Sequence, residues 1–153
     1  MIIVISVVIL CGGCSSRMNH SKNKVLLPLA GKEIFMHSLE KFADFSTDII
    51  VVANSNDYAE IKELYPNVVL GGETRQDSVY SGVSVAKNEK VLIHDGARPF
   101  LSTVDIQKII DVSNDSSLAF LGNYLVDSIK DSNFNNLNRD GIILTYTPQL
   151  VLK

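Results

Sequence analysis

The chain has 153 residues, 46% hydrophobic and 20% charged, and 14 Lys+Arg against 17 Asp+Glu leave a formal charge of −3. That length predicts a single domain over residues 1–153 with a core that needs no disulfide or metal staple, and the hydrophobic content excludes a disordered chain. The mild acidity argues against a general nucleic-acid binder.

Ile2–Leu10 reads as a fully buried strand, β-branched and almost uninterrupted. It lacks the Lys or Arg of a secretory leader and falls far short of the ~20 apolar residues that span a bilayer, so no membrane association is expected. Cys11 and Cys14 form a lone C-x-x-C; without further ligands this predicts neither zinc nor a redox dithiol, but two small residues beside a strand end in a reducing compartment, the cytoplasm. Helical spacing over Ile34–Phe42 follows the turn Ala30-Gly31-Lys32. A strand is predicted at Asp48–Ala53, then a short helix at Tyr58–Leu64 closed by Pro66, and a strand at Val68–Leu70. A helix over Ser78–Ala86 is expected, capped by Asp77 or Ser78, then a strand at Val91–His94 and a helix opening at Ser102 with capping-box spacing to Asp105. Leu118–Leu121 reads as a strand, Lys130–Arg139 as a solvated loop or arm, and Ile142–Tyr146 as the last clear element.

Strands alternating with short helices predict an α/β fold, a mostly parallel sheet with helices on both faces and ligands at the carboxyl ends of the strands. Three polar clusters follow strand ends: Gly12–Lys24, Gly71–Ser78 and Asp95–Arg98. In the first, Gly12 and Gly13 allow close backbone approach to an anion. Arg17 adds a permanent charge with paired donors, and Lys24 a point charge; together they suit a nucleoside triphosphate. In the second, Gly72, Glu73 and Ser78 could offer groups to a base edge, although a turn with an N-cap explains the same residues. In the third, Asp95 suits Mg²⁺ or a ribose hydroxyl, while an Asp95–Arg98 surface pair is the competing reading. His94 reads as a packed strand-end histidine.

The three clusters resemble one family. Gly12-Gly13-x-x-x-Arg17-Met18 with Lys24, then Leu27-Pro28-Leu29-Ala30-Gly31-Lys32, resemble the sugar-phosphate nucleotidyltransferases. Gly71-Gly72-Glu73-x-Arg75-x-x-Ser78-Val79 and His94-Asp95-Gly96-Ala97-Arg98-Pro99 narrow the resemblance to the 2-C-methyl-D-erythritol 4-phosphate cytidylyltransferases, and Val126–Lys130, Asn138-Arg139 and Thr147-Pro148-Gln149 continue it in order. The resemblance implies a Rossmann-like domain with a homodimerising arm over about 124–146, CTP and a sugar-alcohol phosphate as substrates, and Mg²⁺ or another divalent cation as cofactor. It implies catalytic roles for Arg17, Lys24 and Arg139, the last reaching the partner subunit. Nucleotide contacts would come from Cys11, Gly12, Gly13, Ser15, Ser16, Gly72, Glu73, Arg75, Ser78, Asp95, Gly96 and Arg98. Asp95, Ser128, Arg139 and Thr147 would bind the sugar phosphate, and Asp95 the metal.

Some positions depart from the family pattern. Ser15-Ser16 stand where a glycine and often a basic residue occur, and Cys11-Gly12 replace a small alanine pair. Asn23 replaces a proline, which predicts a less rigid placement of Lys24. Gly96 replaces an alanine, a change expected to be benign, and Asn138 replaces an aspartate. The family pattern continues beyond Thr147-Pro148-Gln149 with further elements, including a second lysine and a threonine of the sugar-phosphate site, so a C-terminally shortened member is expected. The alternatives are a CTP-binding fragment without turnover and a ribitol-5-phosphate cytidylyltransferase. A molybdenum-cofactor guanylyltransferase would suit the first loop but leave the later clusters unexplained.

Overall fold

The computed structural model describes residues 4–13 and 22–153. Strand β1 (Ile5–Leu10) is followed by a 3-10 turn (Lys24–Leu26) and a small hairpin of β2 (Pro28–Leu29) and β3 (Lys32–Glu33). Then come α1 (Ile34–Phe42), β4 (Asp48–Ala53), α2 (Tyr58–Leu64), β5 (Val68–Leu70), α3 (Arg75–Val85) and β6 (Lys90–Asp95). Helix α4 (Thr103–Val112), β7 (Leu118–Tyr124) and β8 (Ile143–Leu152) complete the described chain. No helix among the described residues is long and apolar enough to cross a membrane.

The main sheet has the order β5-β4-β1-β6-β8-β7. The first four strands are parallel, and β8 is antiparallel to both its neighbours. The α/β class and the mostly parallel sheet are therefore as expected. From β1 the chain moves outward through β4 to β5, then crosses to β6 on the other side of β1. Strand order reverses there, and in sheets of this kind the reversal opens a crevice at the carboxyl ends of the two central strands.

Alternation along β1 feeds two cores. Ile5, Val7 and Ile9 pack with Phe35, Phe42, Ile61 and Ile106 from α1, α2 and α4. Val8 packs on the other face with Ile50, Val52 and Ala86, beneath α3. Each such large side chain, when fully buried, contributes roughly 1.5–3 kcal/mol. Helix α3 approaches its face closely because residue 82 is glycine: a β-carbon there would stand 2.4 Å from Val8 Cγ1. At the opposite end from the crevice, buried Asp48 accepts from Ser6 Oγ at 2.5 Å and from the Lys87 amide at 2.8 Å, which lets a strand begin on a carboxylate.

Four boundaries differ from the sequence reading by more than one residue. Strand β1 starts at Ile5 rather than Ile2; residues 1–3 lie outside the described residues. Helix α3 begins at Arg75, capped by Thr74 instead of Asp77 or Ser78, because Thr74 and Asp77 form a reciprocal capping box and draw the preceding turn into the helix. Strand β7 extends to Tyr124. Most consequentially, β8 runs straight through Thr147-Pro148-Gln149 to Leu152. Proline cannot donate to a ladder, which reads as a strand end. The structure accommodates it with a cis Thr147–Pro148 bond in a bulge: Phe120 pairs with Gln149 but Leu121 pairs with Tyr146. Beyond the bulge β8 leaves β6 and continues with β7 alone into an arm of exposed residues, closed by an isolated bridge between Lys130 and Asn136.

Candidate active site

The loops after β1, β5 and β6 are knitted together by backbone bonds. The Cys11 amide donates to the Val52 carbonyl at 2.7 Å, Gly71 to Ala53 at 2.8 Å, and Gly96 to Leu10 at 2.9 Å. Above them lies a cleft of about 590 Å³ whose walls include Gly12, Gly13, Lys24, Gly72, Asp95 and Arg98. Glu73, Arg75 and Ser78 also face it. The three sequence clusters thus meet at the reversal of strand order. Ser15, Ser16 and Arg17 lie outside the described residues.

Lys24 is the first residue of the 3-10 turn, and the turn is better anchored than expected. Asn23 is buried, caps the turn through its side-chain oxygen, and donates from Nδ2 to the Cys11 carbonyl at 3.0 Å. Its side chain thereby supplies the rigidity that the loss of proline was expected to remove.

On the second loop, Asp77 Oδ2 accepts from the Thr74 hydroxyl at 2.7 Å and from the Thr74 amide at 3.0 Å. Those bonds, the hydroxyl's foremost, hold its carboxyl below the ordinary range. Gly72 permits this closure, since a β-carbon there would fall 2.3 Å from Asp77 Cβ. Ser78 is buried beneath the loop, its hydroxyl close under Gly12 and Gly71.

At the end of β6, the Asp95 carboxylate accepts from Arg98 Nε at 3.0 Å and from Arg75 Nη2 at 3.1 Å. The anticipated Asp95–Arg98 pair exists, with Arg75 as a further member. Lys24, Arg75 and Arg98 face Glu73 and Asp95 across the cleft, an excess of positive charge suited to polyphosphate.

His94 is fully buried, set edge-on to Phe42 with ring centroids 5.2 Å apart. Its Nε2 donates to the Arg98 carbonyl at 3.1 Å, and its Nδ1 accepts from the Thr147 hydroxyl at 3.0 Å. Thr147 Oγ1 in turn accepts from the Asp95 amide at 3.3 Å. Burial pulls the His94 pKa down to about 4, so the ring is neutral and serves as a strut. Ser38 Oγ adds a bond to the Gly96 carbonyl at 3.1 Å. The loop from Asp95 to Arg98 is the wall between the cleft and a second cavity of about 850 Å³, which Thr147 lines with α4 and β7.

Other residues named from the sequence stand apart. Cys11 is buried, and burial, reinforced by the Asp57 charge, pushes its thiol pKa up; it does not line the cleft, and its amide and carbonyl are bonded to Val52 and Asn23. Gly96 packs against Cys11 beneath the loop. Ser128 and Arg139 lie exposed on the arm, Arg139 donating to the Val126 carbonyl, and neither lines the cleft of its own chain. Among the described residues no cluster of three or more His, Cys, Asp or Glu side chains is placed to hold a metal. Sequence reasoning overlooked Asn54, Asp57 and the supporting bonds of Asn23; an Asn-x-x-Asp turn directly after a strand was the available signal.

A strand-end cleft of this charge and topology defines a nucleotidyltransferase-like α/β protein. The family model "IspD: 2-C-methyl-D-erythritol 4-phosphate cytidylyltransferase" matches residues 5–152. A curated protein of that name from Halalkalibacterium halodurans is 33% identical over 159 residues, covering 94% of this chain and 70% of the relative. Another from Clostridium botulinum is 36% identical over 162 residues, covering 95% and 72%. The solved structure of the Francisella tularensis cytidylyltransferase matches with a TM-score of 0.75 at 29% identity, over 97% of this chain and 72% of that one. The bifunctional IspDF of Campylobacter jejuni shares the fold, with a TM-score of 0.86 at 22% identity over 97% of this chain and 40% of that one. The chain belongs to the 2-C-methyl-D-erythritol 4-phosphate cytidylyltransferase family, a family of nucleotidyl-transferring enzymes.

Proposed function

We propose that this chain transfers a cytidylyl group from CTP to 2-C-methyl-D-erythritol 4-phosphate, giving 4-diphosphocytidyl-2-C-methyl-D-erythritol and pyrophosphate. The observation that carries this reading is the convergence of Lys24, Gly72-Glu73 and Asp95–Arg98 on one cleft at the carboxyl ends of β1, β5 and β6. A phosphate oxygen of the sugar alcohol attacks the α-phosphorus of CTP. The new P–O bond forms as the bond to the bridging oxygen of the β-phosphate breaks, and pyrophosphate leaves with that electron pair. Such in-line transfer asks for positioning and charge neutralisation more than covalent help.

Lys24, with Arg17, neutralises charge on the triphosphate and in the transition state. Backbone from Gly12 to Ser16 cradles the phosphates above Cys11, whose own amide is held by Val52, and Gly72, Glu73 and Ser78 select the cytosine edge. Arg75 and Arg98 hold Asp95 at the ribose side, and Gly96 shapes that floor. Thr147, braced on His94, serves the sugar phosphate from the far side of the loop. Mg²⁺ fits this donor set, because one carboxylate with phosphate oxygens and water is its usual environment; Asp95 would hold it, exchanging a guanidinium contact for the ion. Bound there it supplies further charge neutralisation at the phosphates.

The arm presents Tyr124, Val126 and Phe134 at 75%, 76% and 81% exposure. Such a patch suits a second copy of the chain, whose Ser128 and Arg139 would reach the neighbouring cleft. We read the setting as cytoplasmic, where CTP and Mg²⁺ are supplied. Pyrophosphate release from CTP and Mg²⁺, with methylerythritol phosphate beside ribitol 5-phosphate, tests the reading. Release with the first sugar alone is expected; release with ribitol phosphate alone, or with neither from folded protein, overturns it.

A further inference from the structure

Asp57 stands at the N-cap of α2, and aspartate is among the best residues for that position, yet its carboxylate makes no capping bond to the helix. Its Oδ2 accepts instead from Asn54 Nδ2 at 2.6 Å and from Asn23 Nδ2 at 2.7 Å. Each asparagine gives its other amide hydrogen to the backbone after β1: Asn23 to the Cys11 carbonyl at 3.0 Å, Asn54 to the Gly12 carbonyl at 3.4 Å. Their side-chain oxygens are used as well, Asn23 accepting from the Val25 amide and Asn54 from the Asp57 amide. One carboxylate oxygen therefore fastens the Cys11–Gly12 backbone and the Lys24 turn to the same point. Gly12 and Lys24 lie in the wall of the cleft, whereas Asp57 does not line it.

We propose that Asp57 is a positioning residue for nucleotide binding, setting the distance between the glycine backbone and Lys24 through Asn23 and Asn54. The proposal rests on the reading of the cleft as the CTP site. A residue that forgoes a local stabilising role in favour of bonds to a site is a common mark of function. Because both amides bond to one oxygen, an asparagine at 57 can accept from both through its own side-chain oxygen. The hydrogen bonds, not the charge, are what the role requires.

Calorimetric titration of the full chain with CTP and Mg²⁺, alongside urea melts, tests this. Asp57→Ala should weaken CTP binding by about tenfold or more, the scale of the two hydrogen bonds lost, while Asp57→Asn stays within about twofold of the parent. If turnover is measured, KM for CTP should rise in Asp57→Ala and KM for the sugar phosphate should not. Unchanged CTP affinity in Asp57→Ala overturns the proposal. So does an Asp57→Asn protein as impaired as Asp57→Ala, which would mean that the charge acts directly. Should Asp57→Ala not fold, Asn23→Ala and Asn54→Ala replace it, and unchanged CTP affinity in both overturns the proposal equally. Lys24→Ala is measured in parallel: if it too binds CTP like the parent, or if the parent binds none, the reading of the cleft falls and the proposal with it. Loss in Lys24→Ala with none in Asp57→Ala defeats the positioning role alone.

Discussion

Cys11 Sγ occupies the space that a side chain at Gly96 would need: a β-carbon on residue 96 would stand 2.6 Å from the sulfur and 3.1 Å from the Leu10 carbonyl oxygen. In the sequence the two positions read as separate departures from an alanine pattern. In the structure they are one exchange, a larger residue just after β1 balanced by a smaller one after β6. Glycine at 96 is thus matched to Cys11, and it is an alanine there that would crowd the sulfur.

Gly96→Ala alone should destabilise the protein by about 1–3 kcal/mol through overpacking. Cys11→Ala opens the space, so Cys11→Ala/Gly96→Ala should be more stable than the sum of the single changes by ~0.5–3 kcal/mol. Urea melts of the four proteins measure this, and strict additivity would refute the exchange.

Lys24→Ala should lower kcat/KM by roughly 10²–10³, the cost of removing one preorganised charge from a transition state. Arg17→Ala should behave alike. Steady-state pyrophosphate release is the assay, and unaltered kinetics would take Lys24 out of the site.

Thr147 is donor to His94 and acceptor from the Asp95 amide at once. Thr147→Val keeps the shape and deletes both bonds, leaving His94 Nδ1 buried without a donor, at a cost of ~1–3 kcal/mol. Its kinetic effect should fall on KM for the sugar phosphate more than for CTP. Thr147→Ser should restore most of both.

The pH dependence of stability follows from His94. Its folded pKa of about 4 lies below the ordinary 6.5, so the folded state resists protonation that the unfolded state accepts. The contribution is fully present above pH 6.5 and is lost as pH falls from there toward about 4, on the order of 3 kcal/mol in all. The carboxylates of Asp77, Asp105 and Asp131, all held low by hydrogen bonds, lose their contributions only at more acid pH. Urea midpoints between pH 7 and pH 4 should therefore fall in the parent and fall less in His94→Gln, whose neutral side chain does not titrate.

If the arm joins two copies, Phe134→Asp should shift sedimentation from dimer to monomer and reduce turnover through loss of the neighbour's Arg139. The melt of the main domain should persist, because Phe134 is 81% exposed and lies far from the core. A single species of unchanged size in both proteins would remove the arm as an interface.

Much of the architecture was legible. The bounds of α1, β4, α2 and β5 coincide with the sequence reading, because in each case strong periodicity ends at a local stop such as Gly31, Asn54 or Pro66. Strand β8 was not legible beyond Tyr146, since Pro148 forbids a ladder bond and the bulge that absorbs it exists only against β7. The α3 cap was misplaced because Asp77 and Ser78 are good caps in isolation, and the bond from Thr74 to Asp77 decides between them. For the site, loops at strand ends could be found from chain order alone. The struts beneath them were legible only in part: His94 reads as a packed strand-end residue and Asn54-x-x-Asp57 as a turn, but the pairing of His94 with Thr147 and of Asp57 with Asn23 is a product of the folded geometry.

The position of β8 also bears on how the protein is made. Among the described residues it is the last strand in the chain, yet it lies inside the sheet, between β6 and β7. On a ribosome, β5-β4-β1-β6 can pair as soon as Asp95 has emerged, whereas β7 has no partner until residues 143–152 follow. Until then β6 and β7 both present open edges, and Thr147 cannot brace His94. Synthesis thus delivers the nucleotide side of the molecule first and the wall of the second cavity last. A stall within the arm would leave on the ribosome a nascent chain able to form half a site and prone to borrow a strand from its neighbour.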